Sequence, residues 1–220
     1  MSGSSDSSHD FSGAEIEAGR RLFAGDWSFV SAASSGASLP PMAGPEIAFA
    51  GRSNVGKSSL INALVGRRLA RSSNTPGRTQ ELIFFRGPGR LLIVDMPGYG
   101  YAAAAKTKIA AWTRLIHDYL RGRATLARVY VLIDARHGLK TADDELFETL
   151  GTAAVSHQIV LTKCDQVSDT ALAECMAGVT AAMRKRAAAF PELIATSARN
   201  GTGIPQLRAA IARLAAERAV

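Results

Sequence analysis

The sequence contains few cysteines. Cys164 and Cys175 are its only two, which excludes the disulfide framework that stabilises many small secreted domains. No group of cysteines and histidines has the spacing of a zinc site. We therefore predict that both thiols are small core residues in a protein of a reducing compartment.

Long apolar runs and targeting signals are also missing. No run approaches the roughly 18 apolar residues of a membrane-spanning helix. The first residues, MSGSSDSSHDFSGAE, are Ser-rich and acidic and lack the basic start and apolar stretch of a signal peptide. The start lacks the Met-Gly of a myristoylation site, and the final RLAAERAV lacks a prenylatable cysteine. We expect a soluble, cytoplasmic protein.

The chain is basic, with a net charge of +7 and an isoelectric point near 9.8. Such a balance favours anionic partners, because lysine and arginine release counterions from a phosphate backbone. Part of the charge has another explanation, since Arg67, Arg68 and the run 184–186 lie at or beyond the ends of predicted helices, where cations complement the helix dipole. The arginines that leave room for an RNA-facing surface include Arg71, Arg78, Arg121, Arg123 and Arg128.

From residue 46 onward, apolar runs alternate with helical periodicity. Six short runs are typical of strands: EIAFA, ELIFF, LLIVD, RVYVLIDA, HQIVLT and ELIAT. The Gly-Pro-Gly turn in RGPGR predicts that ELIFF and LLIVD form an antiparallel hairpin. Ile109, Trp112, Ile116 and Tyr119 recur at helical spacing. The pattern predicts a three-layer α/β fold, with a mixed, mostly parallel six-stranded sheet and helices on both faces.

The N-terminal part has a different composition. Residues 1–26 begin with a Ser-rich stretch and are expected to form a disordered tail. The segment 31–45 is rich in small residues, glycine and proline, which predicts an extended loop. One globular domain is therefore expected over residues 27–220.

The segment GRSNVGKS matches the phosphate-binding pattern G-x-x-x-x-G-K-[ST] in full, between a predicted strand and a predicted helix. Backbone N–H groups and the helix N-terminus would hold the phosphates of a nucleotide. Lys57 would bridge the β- and γ-phosphates, and the Ser58 hydroxyl would bind Mg²⁺. The residues assigned to this phosphate loop are Gly51, Arg52, Ser53, Asn54, Val55, Gly56, Lys57 and Ser58.

Two segments downstream are typical of γ-phosphate sensing. In DMPGYGYA, Asp95 would hold Mg²⁺ through water and Gly98 would offer its N–H to the γ-phosphate, with Met96 and Pro97 between them. In SSNTPGRTQ, Thr75 or Thr79 should complete the Mg²⁺ shell when GTP is bound, and Thr79 is preferred. The nucleotide contacts assigned to this second region are Gly77, Arg78, Thr79, Gln80 and Glu81.

The segment TKCD at the end of HQIVLT predicts a guanine pocket. Asp165 can accept hydrogen bonds from the ring N–H and the exocyclic amine of guanine, a pair that adenine cannot supply. The stem of Lys163 can lie along the base, with Thr162 and Cys164 beside it. Residues after the next strand would close over the base, and they are Ala195, Thr196, Ser197 and Ala198.

Together, GRSNVGKSS, TPGRTQ, DMPGYGYA and TKCD closely resemble the EngB (YihA/YsxC) family of bacterial Ras-like GTPases, in the TrmE-Era-EngA-EngB-septin-like group. The resemblance covers residues from about 27 to the C-terminus, with Met96 where leucine is usual and Cys164 where alanine is common. It implies a Ras-like G domain of the P-loop GTPase fold that binds GTP, with Mg²⁺ at Ser58 and Thr79. It also implies catalytic contacts from Lys57, Thr79 and Gly98, a role in large ribosomal subunit assembly, and a requirement in cell division and septation.

Two residues bear on the rate of hydrolysis. Tyr99 occupies the position where many related GTPases carry a glutamine that orients water, which favours slow hydrolysis that a ribosomal particle or a cation accelerates. Asn54 matches the asparagine that holds K⁺ in the related TrmE group, and its alternative role is to stabilise the loop with its side chain.

The residues also leave a second function open, a non-hydrolysing module that binds RNA or the ribosome and keeps GTP as a structural ligand. A membrane-traffic switch is less favoured, because no lipid anchor is present; a monomer is expected.

Overall fold

The computed structural model describes residues 11–70, 81–99 and 106–218, with side chains from residue 113 onward in the last range. Within these ranges the chain forms seven strands and six α-helices. The strands are β1 (Ser28–Ala33), β2 (Glu46–Gly51), β3 (Leu82–Arg86), β4 (Leu92–Asp95), β5 (Leu126–Asp134), β6 (His157–Thr162) and β7 (Ile194–Ala195). The helices are α1 (Gly13–Ala24), α2 (Lys57–Val65), α3 (Lys106–Gly122), α4 (Thr141–Thr152), α5 (Asp169–Met183) and α6 (Ile204–Glu217).

The strands form one mixed sheet in the order β1-β3-β4-β2-β5-β6-β7. Strands β4, β2, β5, β6 and β7 pair in parallel, and β3 pairs antiparallel with both β4 and β1. The predicted α/β class and the predicted hairpin are therefore confirmed. In such a sheet the carboxyl ends of the parallel strands lie at the same end of the sheet, and ligands bind there.

The predicted count of six strands is wrong, because the sheet has a seventh strand at its edge. Strand β1 pairs antiparallel with β3, from Ser28 opposite Arg86 to Ala33 opposite Leu82. The predicted loop over 31–45 therefore begins three residues later than expected, after Ala33. Residues 31–33 are small or polar and have no strong strand pattern. Their extended conformation therefore depends on pairing with the backbone of β3.

Each face of the sheet is covered by three helices. On one face, buried side chains of α3, α4 and α5 pack on the sheet, among them Tyr119, Phe147 and Met183. On the other face, α1, α2 and α6 contribute buried residues such as Phe23 and Leu64. Strands that are buried on both faces are typical of a parallel sheet between two helical layers.

The prediction that residues 1–26 are disordered is wrong for the helix α1. Ser12 and Glu15 form a capping box, in which the Ser12 N–H donates to Glu15 Oε2 at 2.9 Å and the Glu15 N–H donates to Ser12 Oγ at 3.3 Å. The helix packs closely on α6, where a Cβ added at Gly19 would lie 2.6 Å from the backbone nitrogen of Ala209. The ring of Phe23 stacks on Trp27, which is 3% exposed, with 5.3 Å between centroids. Helix α1 is thus part of the domain, and residues 1–10 lie outside the described ranges.

Two arginines that were assigned to an RNA-facing surface are buried instead. Arg123 binds the buried Glu46 carboxylate, with 2.8 Å between Arg123 Nη2 and Glu46 Oε1. Arg128 lies over the ring of Phe190, with 3.7 Å from its guanidinium carbon to the ring centroid. Arg121 is exposed, whereas Arg71 and Arg78 lie outside the described residues. The pairing partners of Arg123 and Arg128 are distant in sequence, so their burial could not be read from local charge.

Candidate nucleotide-binding site

The phosphate loop begins at the carboxyl end of β2 and leads directly into α2. Gly51 is the last residue of β2, and a Cβ there would lie 2.8 Å from Val55 Cγ1. Gly56 has a φ of +105°, a left-handed conformation that favours glycine. Lys57 and Ser58 are the first two residues of α2. The backbone therefore has the strand–loop–helix geometry that exposes N–H groups to a phosphate.

Lys57 and Asp95, predicted to act on the same ligand, are in direct contact. The Lys57 ammonium forms an ion pair with Asp95 Oδ1, and the two side chains are 13% and 8% exposed. Asp95 ends β4, and the N–H of the following Met96 donates to the carbonyl oxygen of Phe49 at 3.0 Å. The parallel pairing of β2 and β4 thus places the phosphate lysine beside the aspartate that was predicted to hold Mg²⁺.

The segment after Asp95 lies against the phosphate loop. Its Tyr99 forms a parallel bridge with Arg52: the Ser53 N–H donates to Tyr99 O at 3.1 Å, and the Tyr99 N–H donates to Gly51 O at 3.3 Å. Gly98 is close to Ser53, since a Cβ at Gly98 would lie 3.1 Å from Ser53 Oγ. The predicted γ-phosphate donor is therefore next to the predicted phosphate cradle, and Pro97 beside it is half-buried.

The predicted guanine segment is bonded to the phosphate loop. The Thr162 hydroxyl donates to the carbonyl oxygen of Val55 at 2.7 Å. The Lys163 ammonium donates to the carbonyl oxygen of Asn54 at 2.7 Å, and Lys163 has a φ of +60°. A Cβ on Gly56 would lie 3.7 Å from Lys163 Cε. These contacts bring two motifs that are distant in sequence into one site.

The predicted base pocket contains Asp165 and the residues after β7. The Ser197 hydroxyl donates to Asp165 Oδ1 at 2.6 Å. Asp165 Oδ2 is buried and has no hydrogen-bond partner among the described residues. Thr196 holds this segment on the sheet, because its N–H and its hydroxyl each donate to the carbonyl oxygen of Leu161 at 2.7 Å. Ala195 lies in β7 just before it.

Cys164, which precedes Asp165, is buried, and its N–H donates to the carbonyl oxygen of Thr196 at 3.2 Å. Burial raises the pKa of its thiol to about 11. Cys175 is partly buried against the same core. Both cysteines are free, as predicted for small core residues.

A residue that the sequence reasoning missed is Asp134, the last residue of β5. Its Oδ2 lies 2.9 Å from the Lys163 ammonium and 2.7 Å from Arg136 Nη2. Burial raises the pKa of Asp134, but the hydrogen bonds from Arg136 and Lys163 outweigh it and hold that pKa well below the ordinary value. Asp134 therefore remains charged and holds Lys163, the lysine of the predicted base pocket. A carboxylate at the end of a buried strand was a usable signal, and it is the same one that identified Asp95.

A second missed residue is Asp143, in the first turn of α4. It is 1% exposed, and its Oδ1 accepts the Tyr99 hydroxyl at 2.8 Å. The same oxygen lies 3.3 Å from Arg52 Nε in the phosphate loop. No local pattern in TADDEL distinguishes Asp143 from Asp144, so only the fold reveals this contact.

Part of the predicted site lies outside the described residues. This holds for Gly77, Arg78, Thr79 and Gln80, and for the alternative residue Thr75. Glu81 is partly buried just before β3. Within the described ranges, no group of three or more histidine, cysteine, aspartate or glutamate side chains could hold a metal by itself. The same ranges contain no helix that is long and apolar enough to cross a membrane.

Comparison with known proteins gives consistent matches. The family model described as "50S ribosome-binding GTPase" matches residues 46–163. A probable GTP-binding protein EngB from Rhodopseudomonas palustris (strain BisA53) is 66% identical over 206 residues, which cover 92% of this chain and 95% of the relative. The EngB protein of Afipia carboxidovorans is 65% identical over 212 residues, with 93% and 96% coverage.

Solved structures share the fold. The crystal structure of a probable GTP-binding protein engB has a TM-score of 0.62 and 25% identity, and the match covers 79% of this chain and 100% of that one. The structure of Era in complex with MgGDPNP and nucleotides of 16S ribosomal RNA has a TM-score of 0.59 and 20% identity, with 79% and 57% coverage. At that identity, the likeness to Era concerns the fold alone.

Proposed function

Because the chain belongs to the EngB family of GTP-binding proteins, we propose that it binds GTP with Mg²⁺ and hydrolyses it slowly to GDP and phosphate. We further propose that it acts in large ribosomal subunit assembly in the cytoplasm, as a monomer that is needed for cell division and septation. The described site supports the chemistry, and the basic net charge of +7 supports an anionic partner.

The observation that carries the choice of guanine is the unpaired oxygen of Asp165. Oδ2 is buried without a hydrogen-bond partner among the described residues, and Arg199 Nη1 lies 4.0 Å away, too far for a hydrogen bond. A buried acceptor without a donor is costly, so it suits a ligand that supplies N–H groups. Guanine offers a ring N–H and an exocyclic amine on one edge, and adenine does not. A guanine nucleotide would therefore satisfy this acceptor.

The residues around Lys57 fit Mg²⁺, a cation that prefers oxygen ligands. We assign Ser58 as a direct ligand, Thr79 as a ligand in the GTP-bound state, and Asp95 as a contact through water. When bound, the ion would neutralise charge on the β- and γ-phosphates. On nucleotide binding, Lys57 would exchange its ion pair with Asp95 for a contact with phosphate.

Slow hydrolysis is supported by the position of Tyr99. Its hydroxyl donates to Asp143, so it is not available to orient a water molecule as a glutamine amide would. Lys57, Gly98 and Thr79 remain the proposed catalytic contacts, and all three act on phosphate or metal. The activator would then be a ribosomal particle or a cation.

The large ribosomal subunit precursor, with its rRNA and proteins, is the proposed partner. The description of the matching family model as a 50S ribosome-binding GTPase supports it. Co-sedimentation with ribosomal subunits, in GTP, GDP and no nucleotide, tests this partner. Binding that depends on the nucleotide and persists at raised salt is expected, whereas binding that salt abolishes in every state would indicate nonspecific charge attraction.

Phosphate release by the purified protein tests the enzymatic part. We expect slow release that large subunits accelerate and that Lys57→Ala abolishes. The second candidate function, a non-hydrolysing GTP-dependent module that binds RNA or the ribosome, is also supported by the Tyr99 contact with Asp143. Tight GTP binding without phosphate release, even with ribosomal subunits present, would favour that module.

Asn54 remains the proposed K⁺ ligand. It is exposed, and its backbone carbonyl oxygen accepts the Lys163 ammonium. Its φ of +63° gives another reason for asparagine, which tolerates this conformation better than most residues. Asn54→Gly keeps that backbone and removes the amide. If K⁺ binds there, GTP turnover is faster in KCl than in NaCl, and Asn54→Gly and Asn54→Ser remove the difference; equal rates in wild type contradict the proposal.

A further inference from the structure

The buried carboxylate of Asp143 joins three parts of the site. Its Oδ1 accepts the Tyr99 hydroxyl at 2.8 Å and lies 3.3 Å from Arg52 Nε. Its Oδ2 accepts the Lys140 N–H at 2.8 Å. The phosphate loop, the segment after Asp95 and the first turn of α4 therefore meet at one side chain.

Within this cluster, Asp143 has two partners besides Tyr99, the Lys140 N–H and the Arg52 guanidinium. The bond from the Lys140 N–H fixes the carboxylate to its own helix. Arg52 is fixed as well, because its Nη2 also donates to the carbonyl oxygen of Gly138 at 3.2 Å. A buried carboxylate is stable only when it is paired and hydrogen-bonded. Asp143 thus provides a fixed acceptor for the hydroxyl of Tyr99.

Tyr99 connects Gly98 to both the phosphate loop and α4. The backbone of Tyr99 is already paired with Gly51 and Ser53 of the phosphate loop, and the hydroxyl bond to Asp143 holds the other end of the residue. Gly98 precedes it and packs against Ser53. Tyr99, the residue that follows Gly98, is therefore held both at its backbone and at its hydroxyl.

We propose that Asp143 is a positioning residue that acts through the Tyr99 hydroxyl to hold Gly98 over the phosphate loop, and so sets the preference for GTP over GDP. Only GTP has the γ-phosphate that Gly98 would contact, so GDP binding should not depend on this bond. The inference rests on the proposed function, because it assumes that the site binds guanine nucleotides.

A purely structural role for Asp143 makes a different prediction. Suppose that the carboxylate only neutralises Arg52 and caps α4. Loss of the hydrogen bond from Tyr99 would then lower the stability of the fold and weaken the binding of GTP and GDP equally. The ratio of the affinities for GTP and GDP therefore distinguishes a positioning role of Asp143 from a purely structural one.

The test measures dissociation constants for GDP and for a non-hydrolysable GTP analogue, with Mg²⁺, on the full chain. Tyr99→Phe removes one hydroxyl and leaves the ring. We expect the affinity for the analogue to fall about fivefold, the scale of one hydrogen bond, with GDP affinity within about twofold of wild type. Asp143→Ala should change the ratio of the two affinities in the same direction. Adding Tyr99→Phe to Asp143→Ala should not change that ratio further.

The matched control is Tyr119→Phe, which also removes a hydroxyl that donates to a buried carboxylate. Tyr119 bonds Glu46 Oε2 at 3.2 Å, and Glu46 begins β2 at the end of the strand away from the phosphate loop. This variant should leave the affinity ratio unchanged. An unchanged ratio in Tyr99→Phe, or an equal loss for both nucleotides, overturns the positioning role. If wild type binds neither nucleotide, it is the proposed function that fails.

Discussion

The Thr162 hydroxyl donates a hydrogen bond of 2.7 Å to the carbonyl oxygen of Val55. Thr162 ends β6 beside the guanine segment, and Val55 lies in the phosphate loop. The two residues are 107 positions apart in the chain. The segment predicted to select the base is thus bonded directly to the loop predicted to hold the phosphates.

Replacing Thr162 with valine tests this connection. Thr162→Val keeps the side-chain shape and leaves the Val55 carbonyl without this donor, so we expect about 1–3 kcal/mol lower stability and weaker binding of both GTP and GDP. Thr149→Val is the matched control, because the Thr149 hydroxyl donates to the carbonyl oxygen of Glu145 in an exposed hydrogen bond within α4, away from the site. Chemical unfolding and nucleotide titration provide the measurements, and equal nucleotide affinities in the two variants would contradict the connection.

Asp134→Asn should weaken nucleotide binding through Lys163. The substitution removes the charge that holds the Lys163 ammonium at 2.9 Å, so the lysine stem is less well placed along the base. We expect a several-fold lower affinity for GTP and GDP, on the order of one charge-assisted hydrogen bond. Asp144→Asn removes an exposed ion pair to Arg186 and serves as the control. The idea fails if both variants bind nucleotide as wild type does.

Asp134 also predicts how stability depends on pH. Its pKa in the folded protein is lower than its ordinary value of 3.8, so the folded state favours the charged form. The stabilisation is fully present above pH 3.8 and is lost as the pH falls below that value toward the lowered pKa. Unfolding free energies measured between neutral and acidic pH should fall less steeply below that point in Asp134→Asn than in wild type. Parallel curves would show that Asp134 is not the group responsible.

Gly19→Ala tests whether α1 belongs to the domain. An added Cβ would lie 2.6 Å from the Ala209 backbone nitrogen and force α1 away from α6, which we expect to cost about 1–3 kcal/mol. Gly13→Ala is a matched control on the same helix, because a Cβ at Gly13 meets nothing within 4 Å. Thermal unfolding of both variants gives the comparison. A stable Gly19→Ala protein would mean that the helix does not pack as described.

Much of this site could be predicted because its motifs are local. The phosphate loop, Asp95 and the TKCD segment each lie at the carboxyl end of a short apolar strand. The parallel sheet places these ends on the same side of the fold. Contacts such as the bond from Lys163 to Asn54, across 109 positions, depend on strand order and could not be read from spacing. The same holds for Asp143, whose neighbour Asp144 looks identical in sequence but is exposed.

Errors at the N-terminus had two different causes. Helix α1 could have been predicted, because Ser12 and Glu15 have the spacing of a capping box, but the Ser-rich composition before them dominated the interpretation. Strand β1 could not, since only Phe29 and Val30 favour a strand, the other four residues are serine or alanine, and its conformation depends on pairing with β3. Local signals were therefore sufficient for the helix and insufficient for the edge strand.

The central claim is that Asp165 recognises guanine, and base preference tests it most directly. Affinities for GTP and XTP are measured for wild type, Asp165→Asn and the exposed control Asp169→Asn. We predict that wild type and the control prefer GTP, and that Asp165→Asn binds GTP at least about tenfold more weakly and prefers XTP, since a charged acceptor bond is lost. An unchanged preference for GTP in Asp165→Asn would contradict the account.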